Sequence, residues 1–186
     1  FSMKITLKKP VLNFTNDVPK HITNPLMENK PNISWAITCW NEHEELKRLL
    51  EQLTSKVPSS DEIVIQGDQG KVTSQVSSVI SNFLFKYDNI TYIEYPLNKD
   101  FGTYKNNLFK NCSKDYIFQV DADEFLAAPL IGCVHDLLVS EPDVDLFWIP
   151  RLNIVSGIRP EYAVEQGWKL ESVGEFSDVV NWGSDY

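Results

Sequence analysis

The chain has 186 residues, of which 42% are hydrophobic and 12% aromatic, with a formal net charge of −9. That length and composition give one globular domain with a sizeable core and exclude a disordered chain. The acidic balance excludes a nucleic-acid polymer as partner, because its phosphate backbone is repelled; a single nucleotide stays open, since a bound cation bridges like charges.

Residues 1–31 carry Pro10, Pro19, Pro25 and Pro31 with little periodicity and read as an extended arm along the outside. Phe1-Ser2 ahead of Met3 read as residues appended to the chain. Ile33–Thr38 then read as a strand. Asn41-x-x-Glu44 approaches a capping box, and Leu46, Leu49, Leu50 and Leu53 recur at helical spacing. Glu62–Gln66 is a second strand, and Val72, Val76, Val79, Ile80 and Phe83 mark a second helix. Ile90–Tyr95 is a third strand, closed by Pro96, and Gly102–Cys112 a third helix with Tyr104 and Leu108 inward. Tyr116–Val120 is a fourth, buried strand; Pro129 opens a helix through Leu138, and Leu146–Ile149 is a fifth strand. Beyond Arg151 the pattern weakens. Ile154–Gly174, with Arg159, Tyr162 and Trp168, reads as a mobile lid over an acceptor.

Such alternation predicts an α/β fold, a mainly parallel sheet with helices on both faces. Ligands of these sheets bind beyond the carboxyl ends of the strands. The residues falling there are Thr38, Asn41 and Glu42, then Asp68, then Asn98, Lys99 and Asp100, then Asp121 and Asp123. Acidic groups from four separated segments thus gather on one rim. Asp115, Asp121, Asp123 and Glu124 crowd one short stretch, and clustered carboxylates stay ionised when something cationic sits between them. Oxygen-only donors favour Mg2+ or Mn2+. Asp121-Ala122-Asp123 reads as a metal bridge to a diphosphate, or as a solvated acidic turn. Asp68 reads as an acceptor for a nucleobase N–H, or as a turn residue before Gly70. Asn41 reads as pocket lining or a plain helix cap; Lys99 and Asp100 read as phosphate and sugar contacts, or as a helix-entry loop.

Cys39, Cys112 and Cys133 are too few and scattered for a disulfide framework or a zinc site, and read as reduced thiols in a cytoplasmic setting. No apolar run is long enough for a transmembrane segment.

These motifs resemble glycosyltransferase family 2. Ile33–Glu42 resembles its opening strand with the trailing Asn-Glu. Asp61–Gly70 is similar to its second strand and nucleotide-binding aspartate, Asn98–Gly102 followed by the Tyr104–Cys112 helix to its asparagine/glycine loop, and Asp121-Ala122-Asp123 to its metal-binding Asp-x-Asp. The trailing Glu124 is similar to the branch of lipopolysaccharide-core sugar transferases. Over residues 33–151 the resemblance implies a GT-A fold, a nucleotide-sugar donor (UDP or GDP), Mn2+ or Mg2+ on Asp121 and Asp123, inversion at the anomeric carbon, and a carbohydrate or glycolipid acceptor. It implies a nucleotide site of Thr38, Asn41, Glu42, Asp68, Asn98, Lys99, Asp100 and Asp121. Two features depart from the family: Gly67 replaces one of the paired acids, and Gln69-Gly70 replaces Gly-Ser, which leaves uracil and guanine both open. The family's catalytic base comes late, and Asp185 is the first candidate, followed by Glu175 and Asp178. The expected organisation is an arm over 1–31, a nucleotide-sugar domain over 32–151 and a truncated acceptor-side segment over 152–186. The rival readings are a sugar nucleotidyltransferase and a non-catalytic nucleotide-sugar-binding domain of the same fold.

Overall fold

A computed structural model describes residues 3–7, 30–149, 159–173 and 176–181. They fall in two compact units, Lys4–Phe147 and a smaller one drawn from Trp148–Tyr186 with Phe1–Met3. In chain order the elements are β1 (Met3–Leu7), β2 (Ile33–Cys39), α1 (His43–Lys56), β3 (Glu62–Asp68), α2 (Ser74–Lys86), β4 (Ile90–Tyr95), α3 (Phe101–Lys110), β5 (Tyr116–Asp121), α4 (Ala128–Ser140), β6 (Leu146–Ile149), α5 (Pro160–Glu165), β7 (Lys169–Val173) and β8 (Phe176–Asn181).

The large sheet runs β4-β3-β2-β5-β1-β6. Strands β4, β3, β2 and β5 are parallel, and β1 lies antiparallel to β5. Part of the expected outer arm is therefore a strand of the sheet; the alternation Met3-Lys4-Ile5-Thr6-Leu7 suits that role. Right-handed crossovers explain the layers. From β2 to β3 to β4 the chain steps one way, which puts α1 and α2 on one face. From β4 it returns past β3 and β2 to β5, which puts α3 on the other.

Strand parity sorts the core. Trp35, Ile37, Ile63, Ile65, Phe118 and Val120 are buried on the α1 face, where Trp35 stacks on its register partner Phe118 at 4.6 Å. Leu46, Leu49, Leu50 and Leu53 of α1 are buried with them, each contributing roughly 2 kcal/mol. Ala36, Val64, Ile117, Leu108 and Cys112 form the core beneath α3. Thr38, Gln66, Asp68 and Asp121 share the parity of Ala36 and Val64, so they belong to the α3 side at the carboxyl ends of their strands.

The expected capping box is not formed. Glu42, not Asn41, is the N-cap of α1, and it makes no side-chain cap. Its carboxylate folds back instead to accept from Trp40 N (2.9 Å) and Asn41 N (3.0 Å), which ties the β2–α1 corner. In the smaller unit Tyr162 packs edge-on against Trp168, and β7 and β8 form an antiparallel hairpin. Regular elements thus occupy part of the segment expected to be a lid. Cys39 and Cys112 are buried, the Cys112 thiol donating to Leu108 O, and Cys133 is exposed. Burial pushes the Cys39 thiol up to about 12. Among the described residues no helix is long and apolar enough to cross a membrane.

Candidate functional site

Three side chains converge at the carboxyl ends of β2 and β5. Thr38 and Asp121 are register partners on these strands. The Thr38 hydroxyl donates to Asp121 Oδ1 in a short contact. Lys105, from α3, donates to the same Asp121 Oδ1 (2.5 Å) and to Thr38 Oγ1 (2.9 Å). The Lys105 side chain is 18% exposed and that of Asp121 44% exposed. The cation that the clustered carboxylates call for is thus supplied, at least for Asp121, by the chain itself.

The turn after β5 is braced. Glu124 N donates to Asp121 O, Asp121 N donates to Glu124 Oε2, and Ala122 N donates to Thr38 O, each at 3.0 Å. Gln52 Nε2 holds Leu126 O at 2.6 Å. The trailing glutamate therefore shapes the turn that carries the two aspartates. Asp123, on that turn, is exposed and makes no hydrogen bond or ion pair within the described residues.

Asp68 ends β3 one strand spacing, about 4.8 Å, from β2. It is buried, at 7% exposure. Its Oδ2 accepts from Lys71 Nζ (2.7 Å) and its Oδ1 from Leu97 N (3.0 Å). The Lys71 hydrogen bond, then that from Leu97, holds its carboxyl below the usual carboxylate range. Asp68 thus clamps the tight turn Leu97–Asp100, closed by Asp100 N to Leu97 O at 2.8 Å. Asn98 (φ 47°) and Lys99 (φ 61°) in that turn both lie in the left-handed region, where a side chain costs roughly 1 kcal/mol or more. Asp100 caps α3, accepting from Thr103 N (3.0 Å) and Thr103 Oγ1 (2.7 Å), and those bonds depress its pKa.

The predicted residues therefore separate. Thr38 and Asp121 meet directly, and Asp68 and Asp123 share their rim. The Glu42 carboxylate ties the β2–α1 corner, that of Asp100 caps α3, Asn41 and Lys99 are exposed, and Asn98 shapes a turn. Asp115 stands apart: it precedes β5, six residues or about 20 Å of strand from Asp121, and accepts from Asn32 N at 2.9 Å. Asp185 and Glu175 lie outside the described residues, as does the side chain of Asp178.

Lys105 and Gln66 were not anticipated. Gln66 is fully buried. Its Nε2 donates to Tyr104 O (2.8 Å), its Oε1 accepts from Asn107 Nδ2 (2.8 Å), and its backbone carbonyl accepts from the Tyr104 hydroxyl (3.2 Å). A glutamine in the middle of an apolar strand was the available signal, because a buried amide must find partners.

Within the described residues no three His, Cys, Asp or Glu side chains are grouped to hold a metal. The donors on the rim are Asp121, whose Oδ1 is engaged and whose Oδ2 is not, and the unengaged carboxylate of Asp123. Two hard oxygen donors fit an ion of the Mg2+ type that completes its shell with substrate phosphates and water, and do not fit a protein-only cage.

Gly67 explains a departure noted above. A Cβ built there would meet Val72 Cγ2 at 2.4 Å and the Tyr92 hydroxyl at 2.6 Å. The Tyr92 ring, whose hydroxyl donates to Glu94 Oε1 at 3.0 Å, fills the space that a side chain at 67 would need.

No curated protein matches the chain. Among solved structures it is similar to the mannosyltransferase PcManGT from Pyrobaculum calidifontis in complex with GDP-Man and Mn2+, at 15% identity and a TM-score of 0.49. That match covers 57% of this chain and 32% of the other, so the chain spans about a third of the matched structure's length. The profile described as glycosyl transferase family 2 matches residues 34–162, well over half of the chain. The chain therefore belongs to glycosyltransferase family 2, and its helix-flanked parallel sheet is the GT-A fold that the motifs lead one to expect.

Proposed function

We propose that this chain carries the donor-binding part of an inverting glycosyltransferase, which moves a sugar from a UDP- or GDP-sugar to the hydroxyl of a glycan or lipid-linked acceptor with the help of Mn2+ or Mg2+. The observation that carries the reading is the contrast within one braced turn: Asp121 is oriented by Thr38, while Asp123 is exposed and unengaged. One held and one unengaged carboxylate on the same turn leave oxygen donors open to a hard divalent cation. The Asp-x-Asp-Glu form also supports a place beside the lipopolysaccharide-core sugar transferases.

In this reading Asp121 and Asp123 would hold the divalent ion, which would supply charge neutralisation for the diphosphate as leaving group. Thr38 fixes the rotamer of Asp121, so that its free oxygen stays aimed at the rim. Asp68 acts mainly by pinning the Leu97–Asp100 turn, which presents Asn98 and Lys99 to the nucleotide side; Asn41, Glu42 and Asp100 border the same pocket. The acceptor oxygen attacks the anomeric carbon from the face opposite the diphosphate. The carbon–oxygen bond to the diphosphate breaks with its electron pair on the leaving group, and the acceptor's proton goes to a carboxylate base, for which Asp185 is the first candidate.

Calorimetry of UDP and GDP, with Mn2+ or with EDTA, tests the reading. Binding of one nucleotide that strengthens with Mn2+ and is lost in Asp123→Ala is expected. Mn2+-independent binding, unchanged in Asp123→Ala, would overturn the metal assignment. Hydrolysis of a nucleotide-sugar by the wild type then separates a transferase from a binding domain.

A further inference from the structure

We propose that Lys105 is a diphosphate ligand: it is the rim's resident counter-cation, holds Asp121 before the donor arrives, and then shares its ammonium with the donor's phosphates. This rests on the reading of the rim as a diphosphate site and adds to it a residue of the α3 helix to which no motif gave a role.

The first support is placement. The Lys105 side chain is 82% covered, yet its Nζ ends on the rim, against Asp121 Oδ1 and Thr38 Oγ1. An ammonium has three donors, and two are used here. The third remains for an incoming anion. Burying a lysine to this extent is costly unless its charge is matched, and Asp121 matches it.

The second support is the frame. Gln66 bonds α3 at Tyr104 and at Asn107, on either side of Lys105. The rotation of the helix is thereby set by a buried amide, and Lys105 lies between the two anchoring positions. Sites that must hold a charge within a fraction of an ångström are built in this way, on a regular element with its neighbours locked.

The third support is comparison with the other cations near the rim. Lys71 is engaged by Asp68, and its side chain is 58% exposed. Lys99, which the sequence assigned to the phosphate contact, sits exposed on the tight turn and has no partner among the described residues. Of the three, Lys105 alone touches a residue of the Asp-x-Asp turn. An ammonium beside Asp121 lowers the electrostatic cost of bringing a diphosphate against a chain of net charge −9.

Calorimetry with UDP, GDP and the matching nucleosides, in Mn2+ and in EDTA, compares wild type, Lys105→Met and Lys105→Arg. The expected result is a loss of tenfold or more in nucleoside diphosphate affinity in Lys105→Met, larger in EDTA than in Mn2+. Nucleoside affinity should stay unchanged, and Lys105→Arg should recover most of the loss. Mn2+ alone, followed by its electron paramagnetic resonance, should bind Lys105→Met several-fold more tightly than wild type, because the competing ammonium is gone. If Lys105→Met loses its cooperative thermal transition, Lys105→Gln, which retains a hydrogen bond to Asp121, carries the same comparison. Diphosphate binding by folded Lys105→Met equal to wild type in both conditions overturns this proposal alone. A wild type that binds neither nucleotide in either condition overturns the donor-site reading and this proposal with it.

Discussion

The two ends of the sheet use acidic residues in opposite ways. At the amino ends of the strands, Asp61 is buried and fully engaged: Oδ1 accepts from Ile33 N (2.9 Å) and faces His135 Nε2 (3.1 Å), and Oδ2 accepts from Trp35 Nε1 (2.9 Å). Beside it Glu62 accepts from Ser34 Oγ (2.6 Å), Ser113 N (2.5 Å) and Ser113 Oγ (2.8 Å). Asp115 accepts from Asn32 N. These carboxylates join β2, β3, β5 and α4, and all of them are engaged. At the carboxyl ends Asp68 and Asp100 are engaged too, but Asp123 makes no hydrogen bond or ion pair within the described residues, and Asp121 is half-exposed and shared with a lysine. Carboxylates at one end of the sheet hold the fold; at the other end, part of the set is left unengaged within the described residues.

The largest expected break of this contrast is Asp61→Ala. It strands two buried N–H donors and the ring of His135, and should cost about 3 kcal/mol in urea unfolding. A cost below 1 kcal/mol would mean that the amino end is not held by Asp61. Next comes Gly67→Ala, which forces the new methyl against Val72 and Tyr92 and should destabilise by roughly 1–3 kcal/mol, read from the same unfolding curves. That result would show that the rim also contains a position set by packing.

Burial works against ionisation of Glu62, but the hydrogen bonds from Ser113 and Ser34 outweigh it, and its pKa is lowered. A carboxyl with a lowered folded pKa contributes stability that is present above its unfolded value, about 4.3. That stability is lost as pH falls through the folded value. Asp68 behaves alike, through Lys71 and Leu97. Unfolding free energy should therefore fall on acidification below about pH 4, and Glu62→Gln should flatten that limb. An unchanged acid limb in Glu62→Gln would remove Glu62 from the account. The smallest expected effect is that of Asp123→Ala on stability, within about 0.5 kcal/mol of wild type, although nucleotide binding is lost. A larger loss of stability would class Asp123 with the amino-end acids.

Much of the fold was legible because its signals are local. The leucine spacing of α1, the strand runs of β2, β3, β4 and β5, and Pro129 in the first turn of α4 each report on neighbours within a few residues. The capping box failed for a local reason of another kind. Glu42 offered a carboxylate two residues closer to the corner than Glu44, and the backbone N–H groups of Trp40 and Asn41 took it. Of the site, Thr38, Asp68, Asp121 and Asp123 were legible because each directly follows or ends a strand, and parallel sheets open at that edge. Asp115 was misgrouped because nearness in sequence is not nearness in space along an extended chain.

By itself the sequence determined the alternation of strands and helices, the polarity of the sheet and the family to which the chain belongs, because these rest on periodicity and short motifs. Only the tertiary structure decided that Asp121 meets Lys105. The two are 16 residues apart, on a strand and on a helix that crosses one face of the sheet. Their meeting depends on the return of the chain from β4 to β5 and on the rotation of α3 about its axis. That rotation is set by the amide of Gln66, 38 residues away from Tyr104, and no pattern within one element records it.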